Sequence, residues 1–563
     1  MCANRAARDS LPAATPSVAS NGRRCCASWS ATAELRIAPR RPLPPAPGRR
    51  VTPVSAYVPK QERRTMPETK SAKVRSRLKH PIIDADGHWL EVQPVFMDYL
   101  AEVAGAKLVD RYRDTLKKAV GYNWYTVDPA IRDRSRMRRQ GWWGFPTNVM
   151  DRAACIVPAV FRERLDDWGV DLALVYPTLG FMLLDVMKDS ELRPVVMRAY
   201  NVMAADMFRP FADRMIPAGV IPMTTPQEAL EHLEHAHSLG IKLVMMNGNV
   251  RRPLEIDADW QPDPTRRRYY IDAFGVDSPY DYDPVWRKCV DLKLAVTFHT
   301  GTQGWADRCS PSNYVLNHLG HFAHSHQVTA RTLFMGGVTE RFPTLKFGFM
   351  EGGSGWATTL YSDILGHWKK RNLPFMRRHT NPELLNLKRL RRVMEKHTKG
   401  NQRFEGKLDS IIEANLDIFV PDVSQAELAR RDMDSDDFSR TNIRSEADVR
   451  RLYAKNFFFG CEADDPMTTV AFNDKLGLRL KTLLGSDIGH FDVVDATKVI
   501  EEAWEMVEHG FISKFNFREF TFGNAVALHG GMHPGFFKGT VVEAAAEREL
   551  ARAAASTPET GHR

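Results

Sequence analysis

Ile82-Ile83-Asp84-Ala85-Asp86-Gly87-His88 is the stretch on which the fold turns. Its apolar opening reads as a buried strand, and alternate side chains of a strand share one face, so Asp84, Asp86 and His88 point together. Three aligned side chains of metal-ligating type at the end of a packing element are unusual. Taken alone, Asp86 also suits a helix cap or an Asx turn with His88 on the surface. The choice depends on what the rest of the chain brings to the same place.

Working outward, seven more short apolar runs follow, separated by amphipathic stretches. With the first, they span 82–86, 172–176, 216–221, 242–246, 294–299, 345–350, 457–460 and 483–487. Each is continuous rather than alternating, as expected of a parallel sheet covered by helices on one side and a packed interior on the other. Eight such runs with helices between them predict an α/β fold, a closed (β/α)8 TIM barrel. Helices are expected over 190–211 and over 225–239, the latter opening on Thr-Pro and ending at Gly240. Two connections are too long for plain loops. Residues 89–171 follow strand one, and 357–456 follow strand six, with a charged helical insertion over 371–451. Both leave from C-terminal strand ends, positions suited to a lid or a subunit contact.

The formal charge of +9 raises the question of a polyanionic partner, and its distribution answers it. Residues 1–65 hold twelve Lys or Arg against Asp9, Glu34 and Glu62, and twelve minus three is the whole excess. The remainder is formally neutral and gives no electrostatic reason to bind nucleic acid. The same tail is Pro-rich and unpatterned, and reads as disordered. Its Arg- and Ser-rich, acid-poor composition resembles an organellar transit peptide, but its prolines would break the amphipathic helix such peptides need. Met66 follows directly, so a start there is the plainer reading. The folded part is expected over 66–540, with an Ala/Glu-rich C-terminal tail at 541–563. No 18-residue apolar run predicts a membrane span. Cys155, Cys289, Cys309 and Cys461 are widely spaced and form no C-x-x-C pair, which reads as free thiols in a reducing cytoplasm.

Strand five ends Val296-Thr297-Phe298-His299-Thr300-Gly301, and strand eight ends Leu483-Leu484-Gly485-Ser486-Asp487, followed by His490. In a barrel these ends converge on one mouth, so Asp86, His88, His299 and Asp487 would surround one divalent ion and leave a position for water or substrate. His318, His321, His324 and His326 lie in a segment read as the helix before strand six, and are assigned to packing or solvent rather than to a second metal. Trp142, Trp143, Trp305 and Trp356 read as core or lid residues before substrate-pocket residues.

At this point the chain resembles the amidohydrolase-related metalloenzymes of the aminocarboxymuconate-semialdehyde decarboxylase type. The resemblance rests on Asp86-x-His88-x-x-Glu91, Tyr176-Pro177-Thr178, Ala199-Tyr200-Asn201 and Phe298-His299-Thr300-Gly301. It continues through 337–346, Glu351-Gly352-Gly353-Ser354-Gly355-Trp356, Ser486-Asp487-Ile488-Gly489-His490 and Gly523-Asn524-Ala525. It implies metal ligation by Asp86, His88, His299 and Asp487, and a homodimer as the assembly. The family's usual first-strand pair is His-x-His; Asp86 replaces the first His, which keeps zinc favoured and makes manganese more acceptable. The family's decarboxylases place a catalytic histidine at the end of strand six, where this chain has Glu351. That weakens decarboxylation and leaves Glu351 as a catalytic group or as a partner that orients a metal ligand.

The expected activity is therefore metal-dependent hydrolysis of a small organic acid, lactone or amide. Asp487 would accept a proton from ion-bound water, and His490 would orient substrate or protonate the leaving group, unless it is a surface loop residue. The alternative is a nonoxidative carboxy-lyase acting on an aromatic or unsaturated acid. A third reading is a barrel without activity that serves as a binding scaffold.

Overall fold

The structure, a computed structural model, describes residues 68–119, 122–139, 146–255, 269–299, 310–413, 430 and 436–555. The N-terminal tail and Trp142, Trp143, Trp305 and Cys309 lie outside the described residues.

Eight parallel strands form one sheet in sequence order. They are β1 Ile83–Trp89, β2 Leu172–Pro177, β3 Met215–Ile221, β4 Leu243–Met246, β5 Val296–Phe298, β6 Phe347–Phe349, β7 Phe457–Glu462 and β8 Lys481–Gly485. Each of the eight apolar runs coincides with one of them. The reason is burial on both faces: β1, β2, β4, β5 and β6 are buried along their whole length.

The ring closes where the last strand meets the first. Asp487 N donates to Asp86 O (3.0 Å), His88 N donates to Ile488 O (2.8 Å), and Asp84 bridges the same seam. Its carboxylate accepts from Ser486 N (3.0 Å), Ser486 Oγ (2.6 Å) and Asp86 N (3.1 Å). The register of β1 against β2 shifts between Asp84 and Gly87. Asp84 therefore serves the seam, and only Asp86 and His88 of the three expected side chains reach the mouth.

The expected helices form as Leu192–Phe208 and Pro226–Ser238, the second capped by the Thr225 hydroxyl, which accepts from Glu228 N. Two of the motif asparagines act as latches. Asn201 Oδ1 accepts from Val220 N (2.7 Å) while its Nδ2 donates to Val220 O (3.1 Å), and Asn524 Nδ2 donates to Thr482 O (2.9 Å). Each copies a ladder bond to a barrel strand from a covering helix.

Three features depart from the sequence reading. The single helix expected before strand six is two, Tyr314–His318 and His321–Met335, broken where Gly320 takes φ 69°. A two-stranded antiparallel hairpin, Val250–Pro253 with Tyr269–Asp272, follows β4. The segment read as a C-terminal tail contains the helix Glu543–Ala555, which buries Ala546 and pairs Glu549 with Arg518. Within the insertion after β6, the helix Leu387–Thr398 buries none of its residues. No helix among the described residues is long and apolar enough to cross a membrane. Cys155, Cys289 and Cys461 are buried free thiols.

Candidate metal centre

The C-terminal ends of β1, β5, β6 and β8 point their side chains at one place. His88 Nε2 and His299 Nε2 face each other at 3.2 Å. Asp86 Oδ1 lies 3.5 Å from the first and 3.7 Å from the second. Asp487 Oδ1 is 3.3 Å from His88 Nε2, and Glu351 Oε2 is 3.2 Å from His299 Nε2. The metal-type atoms fall in two groups that meet at His88, each within 4.8 Å: Asp86, His88 and His299 in one, and His88, Glu351, Asp487 and His490 in the other. Atoms bound at about 2.0–2.2 Å to one ion stand about 3–3.5 Å apart, and these separations match that spacing closely.

The chemistry of the donors fits a cation as well. Asp86 Oδ1 and Glu351 Oε2 are buried and accept no hydrogen bond, an arrangement a protein tolerates poorly unless something positive completes it. Burial pushes the Asp86 carboxyl up to about 8, with Glu351, Asp84 and Glu462 adding to the shift and His299 opposing it. Burial also holds Glu351 and Asp487 well above the usual carboxylate range, and repulsion from Asp492 adds to both. Burial keeps His88 and His490 far below the usual imidazole range, hence neutral, the form that donates a lone pair to a metal.

His490 is not a surface histidine: its side chain is 3% exposed. Nδ1 lies 2.6 Å from Asp487 Oδ1, Nε2 lies 3.2 Å from Thr178 Oγ1, and the ring stacks on His88 with centroids 3.8 Å apart. Thr178 is in turn fixed by Glu91, whose carboxylate accepts from Thr178 N (3.1 Å), Leu179 N (2.9 Å) and Gly180 N (3.0 Å). Those three amides open the helix Thr178–Val186, so one buried carboxylate satisfies a helix terminus and sets the hydroxyl beneath His490. Gly489 makes the turn possible: its φ is +113°, and a Cβ there would stand 2.6 Å from His88 O.

Aromatic rings border the centre. Phe322 meets the His299 ring edge-on at 5.0 Å, and Tyr176 lies 6.2 Å from His88 and 5.9 Å from His299, its hydroxyl donating to Thr297 Oγ1 (3.0 Å). Trp356 packs on Phe349 and Phe459, at 5.6 and 5.4 Å, as a half-buried residue against the core. Among the described residues, the four helical histidines form no metal-type cluster. His326 instead sits buried beneath β6, and its Nε2 lies 2.6 Å from Met350 O. Burial pushes its pKa down to about 3, so the ring is neutral and Nε2 carries the donated proton.

Sequence reasoning gave Thr178 only as part of the Tyr176-Pro177-Thr178 motif and missed the acids Glu462 and Asp492, which act electrostatically on the centre. Glu462 ends β7, a clue of the same kind as Asp487, whereas Asp492 lies in a bend and Thr178 at the first residue of a helix, neither with a periodic signal.

The amidohydrolase family profile matches residues 165–383. No curated protein sequence matches the chain. Among solved structures, the chain is similar to an amidohydrolase from Mycobacterium avium subsp. paratuberculosis K-10, at 16% identity over 80% of this chain and 100% of that one, with a TM-score of 0.46. It is similar to 5-carboxyvanillate decarboxylase from Sphingomonas paucimobilis, at 15% identity over 80% of this chain and 98% of that one, TM-score 0.43. A dihydroxybenzoic acid decarboxylase from Polaromonas sp. JS666, solved with manganese and 2-nitroresorcinol, gives 13% identity over 80% and 97%, TM-score 0.41. The stretch matched by the amidohydrolase profile, residues 165–383, lies within the eight-stranded parallel ring.

Proposed function

We propose that the chain is a metal-dependent nonoxidative carboxy-lyase acting on a small aromatic or unsaturated carboxylic acid. Asp86, His88, His299 and Asp487 would hold the ion. The observation that carries this choice over hydrolysis is the immobilisation of His490. Both its ring nitrogens are engaged, with Asp487 and with Thr178, so it is poorly placed to protonate a leaving group. Asp487, which His490 holds in place, is assigned as the proton carrier, and replacing carbon dioxide by hydrogen asks for one proton at one carbon.

Bound at this site, a divalent ion supplies the positive charge that draws a substrate carboxylate and an adjacent oxygen into a ring of acids that would otherwise repel them. The protein's part is positional. His490, braced by Thr178 and stacked on His88, fixes the carboxylate of Asp487. Phe322 and Tyr176 offer flat apolar faces suited to an aromatic ring.

Hydrolysis of a small acid, lactone or amide is the second reading. It is favoured by the contact of Asp487 Oδ1 with the His88 side of the centre, where it could take a proton from bound water and later return it. The test is to strip the protein of metal, reload it with manganese or zinc, and incubate it with carboxylated aromatics in water enriched in oxygen-18. Carbon dioxide matched by a product one carboxyl shorter supports the lyase. Oxygen-18 in the product without carbon dioxide moves the assignment to hydrolysis. A loaded protein inert in both assays across the panel removes the enzymatic reading and leaves a binding scaffold.

A further inference from the structure

Glu351 stands in the centre for a reason that neither catalytic reading uses. It lies two residues past the end of β6, and Asp487 lies two residues past the end of β8. Both adopt left-handed backbone conformations, φ 56° and 52°, which a side chain with a Cβ rarely takes. The same distortion at the ends of two barrel strands turns two carboxylates onto the same point.

The turn around Glu351 is clamped on every side. Met350 N donates to Phe298 O (2.9 Å), Gly353 N donates to Gly460 O (2.9 Å), and Met350 O receives the His326 ring proton. Gly352 leaves no room for change, since a Cβ there would meet His326 Cδ2 at 2.8 Å. What all this holds in place is a side chain 7% exposed whose Oε2 is buried and accepts no hydrogen bond.

The atom it approaches decides its role. A carboxylate that merely orients a metal-bound histidine takes the proton on the ring nitrogen remote from the metal. Glu351 Oε2 lies instead against His299 Nε2, the nitrogen that faces His88 Nε2 and Asp86 Oδ1. Of the two groups of ligating atoms that meet at His88, Glu351 belongs with Asp487 and His490, and its Oε2 also touches His299 of the group formed with Asp86.

We propose that Glu351 is itself a ligand, the third carboxylate of a five-residue set with Asp86, His88, His299 and Asp487. With five protein ligands the centre exceeds tetrahedral coordination, and three oxygen donors shift its preference from zinc toward a manganese-type ion with one position left for substrate. The inference rests on the metal-centre reading above.

The test uses full-length protein stripped of metal and titrated separately with manganese and zinc, following binding by calorimetry and the manganese by electron paramagnetic resonance. Wild type is expected to take up one manganese. Glu351→Gln is expected to lose about 100-fold or more in manganese affinity, beyond the roughly 10- to 100-fold that follows loss of an outer partner. Its zinc affinity should fall at least tenfold less, because four ligands still complete a tetrahedron, and the manganese spectrum should change. Equal losses for the two metals, or none, overturn the proposal. Wild type that binds neither metal refutes the metal centre itself, which is a separate outcome. Should Glu351→Gln not fold, Glu351→Asp keeps the charge at shorter reach and is held to the same criterion: manganese must lose more than zinc.

Discussion

Replacing Glu91 with alanine removes the acceptor of three buried amides at the start of the helix Thr178–Val186 and should destabilise the fold in a pH-dependent way. Each orphaned amide costs about 1–3 kcal/mol, and the cavity adds to this, so a loss of about 5 kcal/mol is expected in mild acid. Burial pushes the Glu91 pKa up to about 7 from 4.5, opposed by the three amides. A carboxyl whose folded pKa is raised contributes stability at low pH that is lost as pH rises through the folded value. At 1.36 kcal/mol per unit, that loss amounts to about 2.5 kcal/mol between pH 5 and pH 8. The alanine variant lacks this titration, so the stability gap to wild type should narrow from about 5 to about 2.5 kcal/mol over that range. At about 2.1 cal/mol/K of unfolding entropy per residue, a chain of this length shifts its Tm by about 1 °C per kcal/mol. The assay is thermal unfolding followed by circular dichroism at pH 5, 6, 7 and 8, with chelator present so that ion binding does not contribute. A gap that widens with pH, or a variant within 1 °C of wild type at pH 5, would refute the assignment of Glu91 as a buried, partly protonated cap.

Three further outcomes follow from the structure. His529 is buried with its pKa pushed down to about 3, by burial first and by Lys242 second, so protonation penalises the folded state; stability falls as pH drops below 6.5, and His529→Leu should recover about 2 kcal/mol of the loss seen at pH 5, measured by urea titration at pH 7 and 5. Arg193 and Glu228 form a buried pair at 2.8 Å; Arg193→Met should cost about 3–5 kcal/mol by stranding the carboxylate, while the double change to Met and Leu should restore much of it, a pattern read from a double-mutant cycle. Gly489→Ala forces a Cβ against His88 O and should reduce metal uptake more than it lowers the Tm, as judged by elemental analysis beside a melting curve.

The barrel was legible because its strands are buried on both faces, and continuous apolar runs such as 172–176 and 345–350, with helices between them, suit a covered parallel sheet and little else. The four residues expected as ligands stood out for a related reason: a polar residue at the end of an apolar strand is conspicuous. Glu351 was visible as a carboxylate in the wrong place, but its direct approach to His299 Nε2 depends on a left-handed turn that no periodicity announces. The hairpin at Val250–Pro253 is silent in the sequence because a four-residue strand containing two arginines and a proline carries little strand signal. Thr178 and His490 are joined across 312 positions of sequence, and only the helix cap at Glu91 accounts for their meeting. Leu319-Gly320 reads as continuous helix, since apolar spacing on both sides carries the pattern across the break.

The seam between β1 and β8 links Asp84 to Ser486 over 402 residues, so nearly the whole chain must leave the ribosome before the first strand meets its last neighbour. Until then the nascent polypeptide is a curled sheet with two raw edges, open to pairing with another copy. The candidate metal centre shares that timetable, because His88 and Asp487 belong to opposite lips of the same gap. A chain truncated ahead of β8 keeps Asp86, His88, His299 and Glu351 but lacks Asp487 and His490, so the full candidate set belongs to the finished barrel alone.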